Sequence, residues 1–343
     1  MKQLVLLGSG PSHLQVLKEL AQVPLPGAQV TLVAPSPREV FAGLLPGWVA
    51  GRYPLDACVL PLGPLAEAAR VNRFEASVAS LTLAQRQLQL ADGRTLHYDA
   101  LSLDTGPTVD RDAIPGAREH ALFAHPVEPF IQGWEALRER AQQSALSIVV
   151  IGSGVAAVEF AFAVQDRLAT RARVALVTGG GALLPSCAGA LRSRVMGRLK
   201  RSKIALFEDR CVAITASQVQ LEQGLRLGCD APLIVPEGGA APWLAESGLA
   251  LDDNGRVRQR PTLQSLSHDE VFAAGSSLAL NLRRFVAGGE LVADRAKQPA
   301  WQLVACGAQP AVAGWGPLAL EGRWVGAWKA RRDRESVARC APS

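Results

Sequence analysis

The chain has 343 residues, of which 48% are hydrophobic and 20% charged, and its formal net charge is +5. This composition is typical of a globular protein, and the length suits two domains that each have a hydrophobic core. It excludes two classes of protein. No run of lysine and arginine is interleaved with aromatic residues, so nucleic acid is not an expected partner, and no apolar stretch is long enough to span a bilayer.

The first predicted elements are a buried strand, a glycine-rich turn and an apolar helix. The strand covers Leu4 to Leu7 and leads directly into Gly8-Ser9-Gly10-Pro11-Ser12-His13. Such a turn lets the backbone approach the pyrophosphate of a dinucleotide, and the helix N-terminus offers that anion N–H groups and a partial positive charge. The apolar run is too short for a signal peptide, so we expect a cytoplasmic protein.

The same plan returns near the middle of the chain. A strand at 148–151 precedes the turn Gly152-Ser153-Gly154 and a second apolar helix. Both copies continue with a second strand, then a two-strand hairpin, and then an apolar strand that begins with Asp-Ala. The repeat predicts gene duplication and an α/β fold of two Rossmann-like dinucleotide-binding domains with three-stranded β-meanders and a small C-terminal appendage. The predicted boundaries are 1–110 with 261–300 for the first domain, 111–260 for the second and 301–343 for the appendage.

The residues that end the second strands leave the nicotinamide nucleotide undecided. Rossmann units usually carry an acidic residue there, which binds the ribose hydroxyls. Ala34 and Thr178 hold these two positions. Because Thr178 is followed by three glycines, and by neither an acid nor an arginine, NADH and NADPH both stay open.

Other catalytic constellations find no support in the sequence. The six cysteines are scattered without CxxC spacing, so we expect reduced, structural thiols and neither a zinc site nor a redox disulfide. Neither glycine turn has the GxSxG pattern of a hydrolase, and the histidines form no metal-binding motif. We therefore predict no metal site.

The motifs resemble the two-dinucleotide-binding flavoproteins of the pyridine nucleotide-disulfide oxidoreductase superfamily, in the branch near the type II NADH dehydrogenases. Within that branch the chain looks most like the flavoprotein module that is fused to selenide, water dikinase or stands alone. A role in selenium metabolism follows from this association only. The stretches that carry the resemblance are 8–13, 41–47, 101–106, 152–159, 243–252, 272–275 and 321–325.

The resemblance implies that the first copy binds FAD and the second binds NADH or NADPH as a co-substrate. Hydride would pass from nicotinamide to flavin, and electrons would go on to a quinone or another small acceptor. Glu159 is the implied catalytic residue, facing both rings. We interpret His13 as a packing or flavin-adjacent residue, and we prefer this interpretation to that of a catalytic base. The implied cofactor-binding residues are Gly8, Gly10, Pro11, His13, Pro35, Arg38, Gly43, Leu44, Val78, Thr105, Gly106, Gly275 and Ser276 for FAD, and Gly152, Gly154, Ala157, Thr178 and Gly238 for the nicotinamide nucleotide.

The sequence departs from the family pattern at Gly275-Ser276. The family has Gly-Asp there, followed by a loop and a helix whose N-terminus faces the flavin, whereas this chain runs directly into Leu278 to Arg283. Two interpretations stay open. Either Ser276 and Ser277 cap the shortened helix and still offer N–H groups to FAD, or the chain is a non-catalytic nucleotide-binding or scaffold relative.

The C-terminal section mixes indole rings with cations. Trp315, Trp324 and Trp328 lie close in sequence to four basic residues between 329 and 334. This composition suits peripheral contact with the inner face of a membrane, and it also suits packing against the protein itself or a homodimer partner. We favour packing.

Overall fold

The first glycine turn lies at the carboxyl edge of a parallel sheet. The computed structural model describes residues 1–106, 108–235, 239, 241–294 and 301–341. The central strand of the first sheet is apolar from Leu4 to Leu7 because it is buried on both faces. The elements up to residue 103 are β1 (Lys2–Leu7), α1 (Pro11–Gln22), β2 (Ala28–Ala34), β3 (Arg38–Val40), α2 (Leu45–Val49), β4 (Val59–Pro61), α3 (Leu62–Ala68), β5 (Asn72–Glu75), β6 (Val78–Thr82), β7 (Gln87–Leu90), β8 (Thr95–His97) and β9 (Ala100–Leu103). Strand β1 pairs in parallel with β2 and β9.

The second glycine turn has the same setting. Strand β11 pairs in parallel with β12 and β17, and α6 follows the turn. The elements of this part are α4 (Ala117–His120), β10 (Leu122–Phe123), α5 (Val127–Gln143), β11 (Leu146–Ile151), α6 (Val155–Leu168), β12 (Ala172–Val177), α7 (Gly189–Arg201), β13 (Ala205–Phe207), β14 (Cys211–Ile214), β15 (Gln218–Leu221), β16 (Arg226–Gly228), β17 (Ala231–Ile234) and α8 (Pro242–Ala245).

The two copies share details that the sequence repeat predicts. Antiparallel sheets β6-β7-β8 and β14-β15-β16 are the two meanders. At the amino end of each central strand, the aspartate of the Asp-Ala pair accepts a backbone hydrogen bond. The Asp99 carboxylate binds Gln3 N–H at 2.7 Å, and the Asp230 carboxylate binds Ser147 N–H at 2.7 Å. The predicted α/β fold with two Rossmann-like units is confirmed.

After the second unit the chain returns to the first sheet. Strand β18 (Val271–Ala273) pairs in parallel with β9, and α9 (Leu278–Ala287) packs against α1. The first sheet thus has the order β18-β9-β1-β2-β5. This order places the segments that follow β18, β9 and β1 side by side, because carboxyl ends of parallel strands share one edge. The domain boundaries themselves stay predictions.

The C-terminal appendage is an antiparallel sheet covered by a helix. Its elements are β19 (Gln302–Ala305), β20 (Ala311–Trp315), β21 (Leu318–Gly322) and α10 (Arg323–Cys340). Trp301 packs edge-on against Trp328, with ring centroids 5.9 Å apart, whereas Trp315 and Trp324 are 49% and 58% exposed. The indoles are therefore divided between packing and the surface. In the described residues no helix combines the length and apolarity that crossing a membrane requires.

Candidate dinucleotide sites

The first turn has the backbone shape that a dinucleotide requires. Gly8 has φ +94°, and a Cβ atom there would overlap the carbonyl oxygen of Asp104. Gly10 N–H donates to the same carbonyl at 3.1 Å. Glycine is needed at Gly8 because φ is positive there and because the backbone of Asp104 and Thr105 fills the space that a side chain would take.

A carboxylate lies at the N-terminus of α1. Asp104 Oδ2 accepts hydrogen bonds from Ser12 N–H at 2.7 Å and His13 N–H at 3.2 Å. A Cβ on Gly10 would overlap this carboxylate. Asp104 directly follows β9, and its neighbours in sequence, Thr105 and Gly106, were the predicted flavin contacts. The N–H groups that the sequence assigns to a pyrophosphate are therefore bonded to the protein's own anion.

His13 is held on both ring nitrogens. Its Nδ1–H donates to the Gly8 carbonyl at 2.7 Å, so Nε2 accepts from the Ser102 hydroxyl at 2.8 Å. The residue is fully buried, and burial lowers its pKa against the opposing effect of Asp104. These contacts support the packing interpretation, since neither ring nitrogen is left to act as a base.

A second carboxylate lies near the same turn. The Ser9 hydroxyl donates to Glu39 on β3. Burial raises the pKa of Glu39 to about 7, the bond from Ser9 opposes this, and the charge of Asp104 adds to it. Neither Asp104 nor Glu39 is predicted as a site residue from the sequence, because neither stands at the position where Rossmann units carry an acidic residue. The available signal for Asp104 is an acidic residue directly after a buried strand, which indicates a carboxylate at the site.

A third carboxylate binds the segment that follows Gly275. Asp294 Oδ1 accepts hydrogen bonds from the Ser276 hydroxyl and from Ser277 N–H, both at 2.7 Å. The first of the two interpretations above is therefore wrong in one respect: the Ser276 and Ser277 side chains do not cap α9. Asp294 binds the two residues that precede the helix, and these bonds lower the pKa of Asp294 although burial opposes them.

The other predicted FAD residues surround this edge of the sheet. Arg38 makes two hydrogen bonds of 2.7 Å to Glu128, which tie β3 to α5. Leu44 is buried, and Gly43 has open space at its Cβ position. Pro11 begins α1, Pro35 is exposed after β2, Val78 begins β6, and Thr105 and Gly106 follow β9. No contact described here tests their assignment to FAD, which stays a prediction.

The second turn is also closely packed. Gly152 has φ +149°, and a Cβ there would lie 2.5 Å from the Val235 carbonyl oxygen and 2.9 Å from Ala157 Cβ. Gly154 is the N-cap of α6. Val235 is the counterpart of Asp104, because each donates its N–H to the last residue of its central strand at 2.9 Å. The second turn therefore has an apolar side chain where the first has a carboxylate.

The loop after β12 is held by the chain itself. The Thr178 hydroxyl donates to Gly181 O at 2.6 Å, and Gly179 N–H donates to Asp209 O at 3.0 Å. Thr178 is buried. Gly238, the remaining predicted residue, lies outside the described residues. A cavity of about 720 Å³ opens at the amino ends of β11 and β12, away from the turn, and is not part of this site.

Glu159 is bound by the appendage. It is 4% exposed, and its Oε1 accepts from Ala305 N–H at 2.7 Å and lies 3.5 Å from Lys329 Nζ. Burial raises the pKa of Glu159, and Lys329 opposes this shift. Burial favours the neutral form of Lys329. The charges of Glu159 and Asp333 outweigh this effect and raise the pKa of Lys329. These contacts give Glu159 a structural role, and its catalytic role stays a prediction.

The same helix binds the appendage a second time. About two turns further along α6, Asp166 Oδ2 accepts from Ala308 N–H at 2.7 Å. Two carboxylates of α6 thus satisfy backbone donors at the end of β19 and in the turn after it. Such bonds to charged acceptors are among the stronger hydrogen bonds in proteins.

The cysteines lead to a prediction about reactivity. All six lie in the described residues, and each is free and buried. Burial raises the pKa of Cys58, Cys211 and Cys229 to about 11 and that of Cys306 to about 12. Since the thiolate is the reactive form, we expect no thiol to react within minutes with Ellman's reagent at neutral pH, and six to react after denaturation. One rapidly reacting thiol in the folded protein would contradict this and reopen redox chemistry at cysteine.

The fold and the paired turns define a class: an α/β protein with two dinucleotide-binding units. Residues 2–297 match the family model described as pyridine nucleotide-disulphide oxidoreductase, and the chain belongs to this family. Membership confirms the predicted resemblance and the predicted class, an oxidoreductase family that uses FAD and a pyridine nucleotide. The narrower resemblance to the module fused to selenide, water dikinase stays a prediction.

The chain is similar to two curated relatives. It is 28% identical over 235 residues to the alternative NAD(P)H-ubiquinone oxidoreductase C1, chloroplastic/mitochondrial, of Arabidopsis thaliana, covering 61% of this chain and 44% of that protein. It is 24% identical over 286 residues to the demethylphylloquinone reductase NdbB of Synechocystis, covering 80% of this chain and 71% of the relative. The chain thus spans less than half of the Arabidopsis protein.

Solved structures share the fold. The sulfide:quinone oxidoreductase of Aquifex aeolicus matches with a TM-score of 0.78 at 15% identity. The match covers 99% of this chain and 91% of that structure. NDH2 of Plasmodium falciparum has a TM-score of 0.78 at 12% identity, with 97% of this chain and 96% of that one covered. At these identities the likeness supports the fold and nothing more specific.

Proposed function

We propose that this protein is an FAD-dependent NAD(P)H oxidoreductase that passes electrons to a quinone or another small acceptor. One observation carries the proposal: the chain contains two glycine turns of one design, each at the carboxyl end of a central parallel strand and each followed by a helix N-terminus. We assign FAD to the first turn and a pyridine nucleotide to the second, and membership of the family supports this assignment. FAD, when bound, supplies the group that accepts hydride and releases electrons singly or in pairs.

The chain's own residues would bind and orient the two dinucleotides. Gly8 and Gly10 would let a pyrophosphate approach the backbone of the first turn, and Gly152, Gly154 and Ala157 would do so at the second. Because β1 and β11 direct these turns to the carboxyl edges of their sheets, each nucleotide would lie in a crevice along that edge. His13, neutral and held at both nitrogens, would keep the first turn in its shape.

The quinone acceptor is the finer part of the proposal. Its support is the similarity to relatives named for ubiquinone and demethylphylloquinone. Quinones of this kind reside in membranes. Trp315 at the end of β20 and Trp324 in α10 present exposed indoles, and α10 also carries several arginines. We therefore propose a cytoplasmic protein that meets the inner face of a membrane through the appendage. A homodimer formed through the same face is the other use of this surface, and vesicle flotation against gel filtration separates the two.

The visible absorption spectrum tests the proposal. Purified protein is incubated with FAD and passed through gel filtration, and NADH and NADPH are then added separately without oxygen. We expect a retained flavin spectrum that at least one of the two nucleotides bleaches, and a quinone that restores it. An FAD-loaded protein that neither nucleotide bleaches would contradict the proposal. A protein that retains no flavin would favour the non-catalytic alternative.

A further inference from the structure

We propose that Asp104 is a built-in occupant of the pyrophosphate position in the FAD-free protein, and that FAD has to displace its carboxylate in order to bind. The inference rests on the proposed binding of FAD at the first turn. It concerns a contact made by the chain itself, which the sequence motif does not reveal.

The available N–H groups of α1 carry the argument. Pro11 has no N–H, and Leu14 N–H already donates to Gly10 O at 3.1 Å. The two amides that remain in the first turn belong to Ser12 and His13, and both donate to Asp104 Oδ2. An anion that uses this helix N-terminus needs the donors that Asp104 now holds.

The second turn is an internal control for this contact. Val235 stands where Asp104 stands in the first copy, and its side chain accepts no hydrogen bond. The two copies otherwise share the central strand, the glycine turn and the following helix. A carboxylate at the helix N-terminus is therefore not a requirement of the fold, and it distinguishes the first site from the second.

Charge makes joint occupancy unfavourable. A pyrophosphate is an anion, and placed at α1 it would face Asp104 and Glu39, whose carboxyl groups already lie near each other. Glu39 is also faced by the Ser9 hydroxyl and by the neutral thiol of Cys340. Since the pKa of Glu39 is about 7, bound FAD would raise it further. FAD affinity should then fall as pH rises through about 7, and Glu39→Gln should flatten this dependence.

Two substitutions at residue 104 test the displacement. Asp104→Asn keeps the shape and removes the charge, and Asp104→Ala removes the acceptor. For each we expect FAD to bind about tenfold more tightly, measured by quenching of flavin fluorescence, because a competing charged hydrogen bond is lost. We also expect a lower unfolding temperature without FAD, because the helix N-terminus loses its anion.

Asp99→Asn is the matched control. Its carboxylate also binds one backbone N–H, at the opposite end of β1. This substitution should lower the unfolding temperature and leave FAD affinity unchanged. The distinguishing result is therefore a pair of opposite changes at residue 104: weaker folding without FAD and tighter binding of FAD.

The outcomes separate this inference from the proposed function. Wild-type protein that binds FAD, with residue-104 variants that bind it equally or less tightly, would overturn the displacement alone. Wild-type protein without FAD and an Asp104→Asn variant that takes it up would support the displacement in its strongest form. If neither protein binds FAD, both the inference and the proposed function fail.

Discussion

Replacing Glu159 by alanine is expected to lower the free energy of unfolding by about 3–5 kcal/mol, because it removes a buried carboxylate that pairs with a buried lysine and accepts a backbone hydrogen bond. The substitution would leave Lys329 buried with only Asp333 as a carboxylate partner, at 3.0 Å. It would also leave Ala305 N–H without its acceptor. Chemical denaturation followed by circular dichroism measures the change.

A smaller set of variants separates charge from hydrogen bonding. Glu159→Gln keeps an acceptor for Ala305 N–H, so we expect it to cost less than the alanine variant. Lys329→Met combined with Glu159→Gln removes both charges and should recover part of the loss. Glu139→Ala, on the exposed side of α5, is the control for loss of a carboxylate. An alanine variant as stable as that control would refute the structural role.

The same variants test the catalytic prediction for Glu159. If the carboxylate acts on the nicotinamide or flavin, Glu159→Gln should slow flavin reduction far more than Lys329→Met does. If Glu159 only anchors the appendage, the two variants should change the rate to a similar extent. Single-turnover reduction, followed by loss of flavin absorbance, distinguishes these results.

Replacing Gly152 by alanine is expected to weaken binding of the nicotinamide nucleotide by about a hundredfold, or about 2.7 kcal/mol. The new Cβ would lie 2.5 Å from the Val235 carbonyl oxygen, so either the turn or β17 has to move. A shifted turn no longer presents the α6 N–H groups to the pyrophosphate. FAD content should stay unchanged, because the first turn belongs to the other sheet. Titration of flavin bleaching with NADH and NADPH measures the affinity.

Gly181→Ala is the matched control for this substitution. Gly181 follows the second strand of the same unit, and its Cβ position is open space. We expect this variant to bind the nucleotide like the wild type. If Gly152→Ala also kept wild-type affinity at wild-type stability, the second turn would not be the nicotinamide nucleotide site.

The sequence predicted the parts of the fold that local pattern determines. The apolar runs at Leu4 to Leu7 and at 148–151, each ended by a glycine turn, predict buried parallel strands because such strands are apolar on both faces. The Asp92-Gly93 pair likewise predicts the hairpin of β7 and β8, because Asp-Gly favours a tight turn. In the structure Gly93 has φ +88°. These signals are contained within a few residues and depend little on the rest of the chain.

The contacts of the acidic side chains could not be predicted in this way. Asp104 pairs with amides of α1, and Glu159 pairs with residues of the appendage, so each partner is distant in sequence. Asp294 binds Ser277, just before α9, although it follows that helix in sequence. A carboxylate carries no local signal that names its donor, and the tertiary structure alone brings the two together.

The two carboxylates of α6 also couple the unfolding of the C-terminal appendage to that of the second unit. Glu159 and Asp166 each satisfy a backbone donor near β19, and both would be left without those partners if residues 301–341 detached. Detachment would also break the contact between Glu159 and Lys329 and expose the face of α6 that packs against β19. The appendage and the second unit should accordingly melt together, as one endotherm in calorimetry, and a chain cut after residue 300 should lose the pyridine nucleotide unit rather than merely its tail.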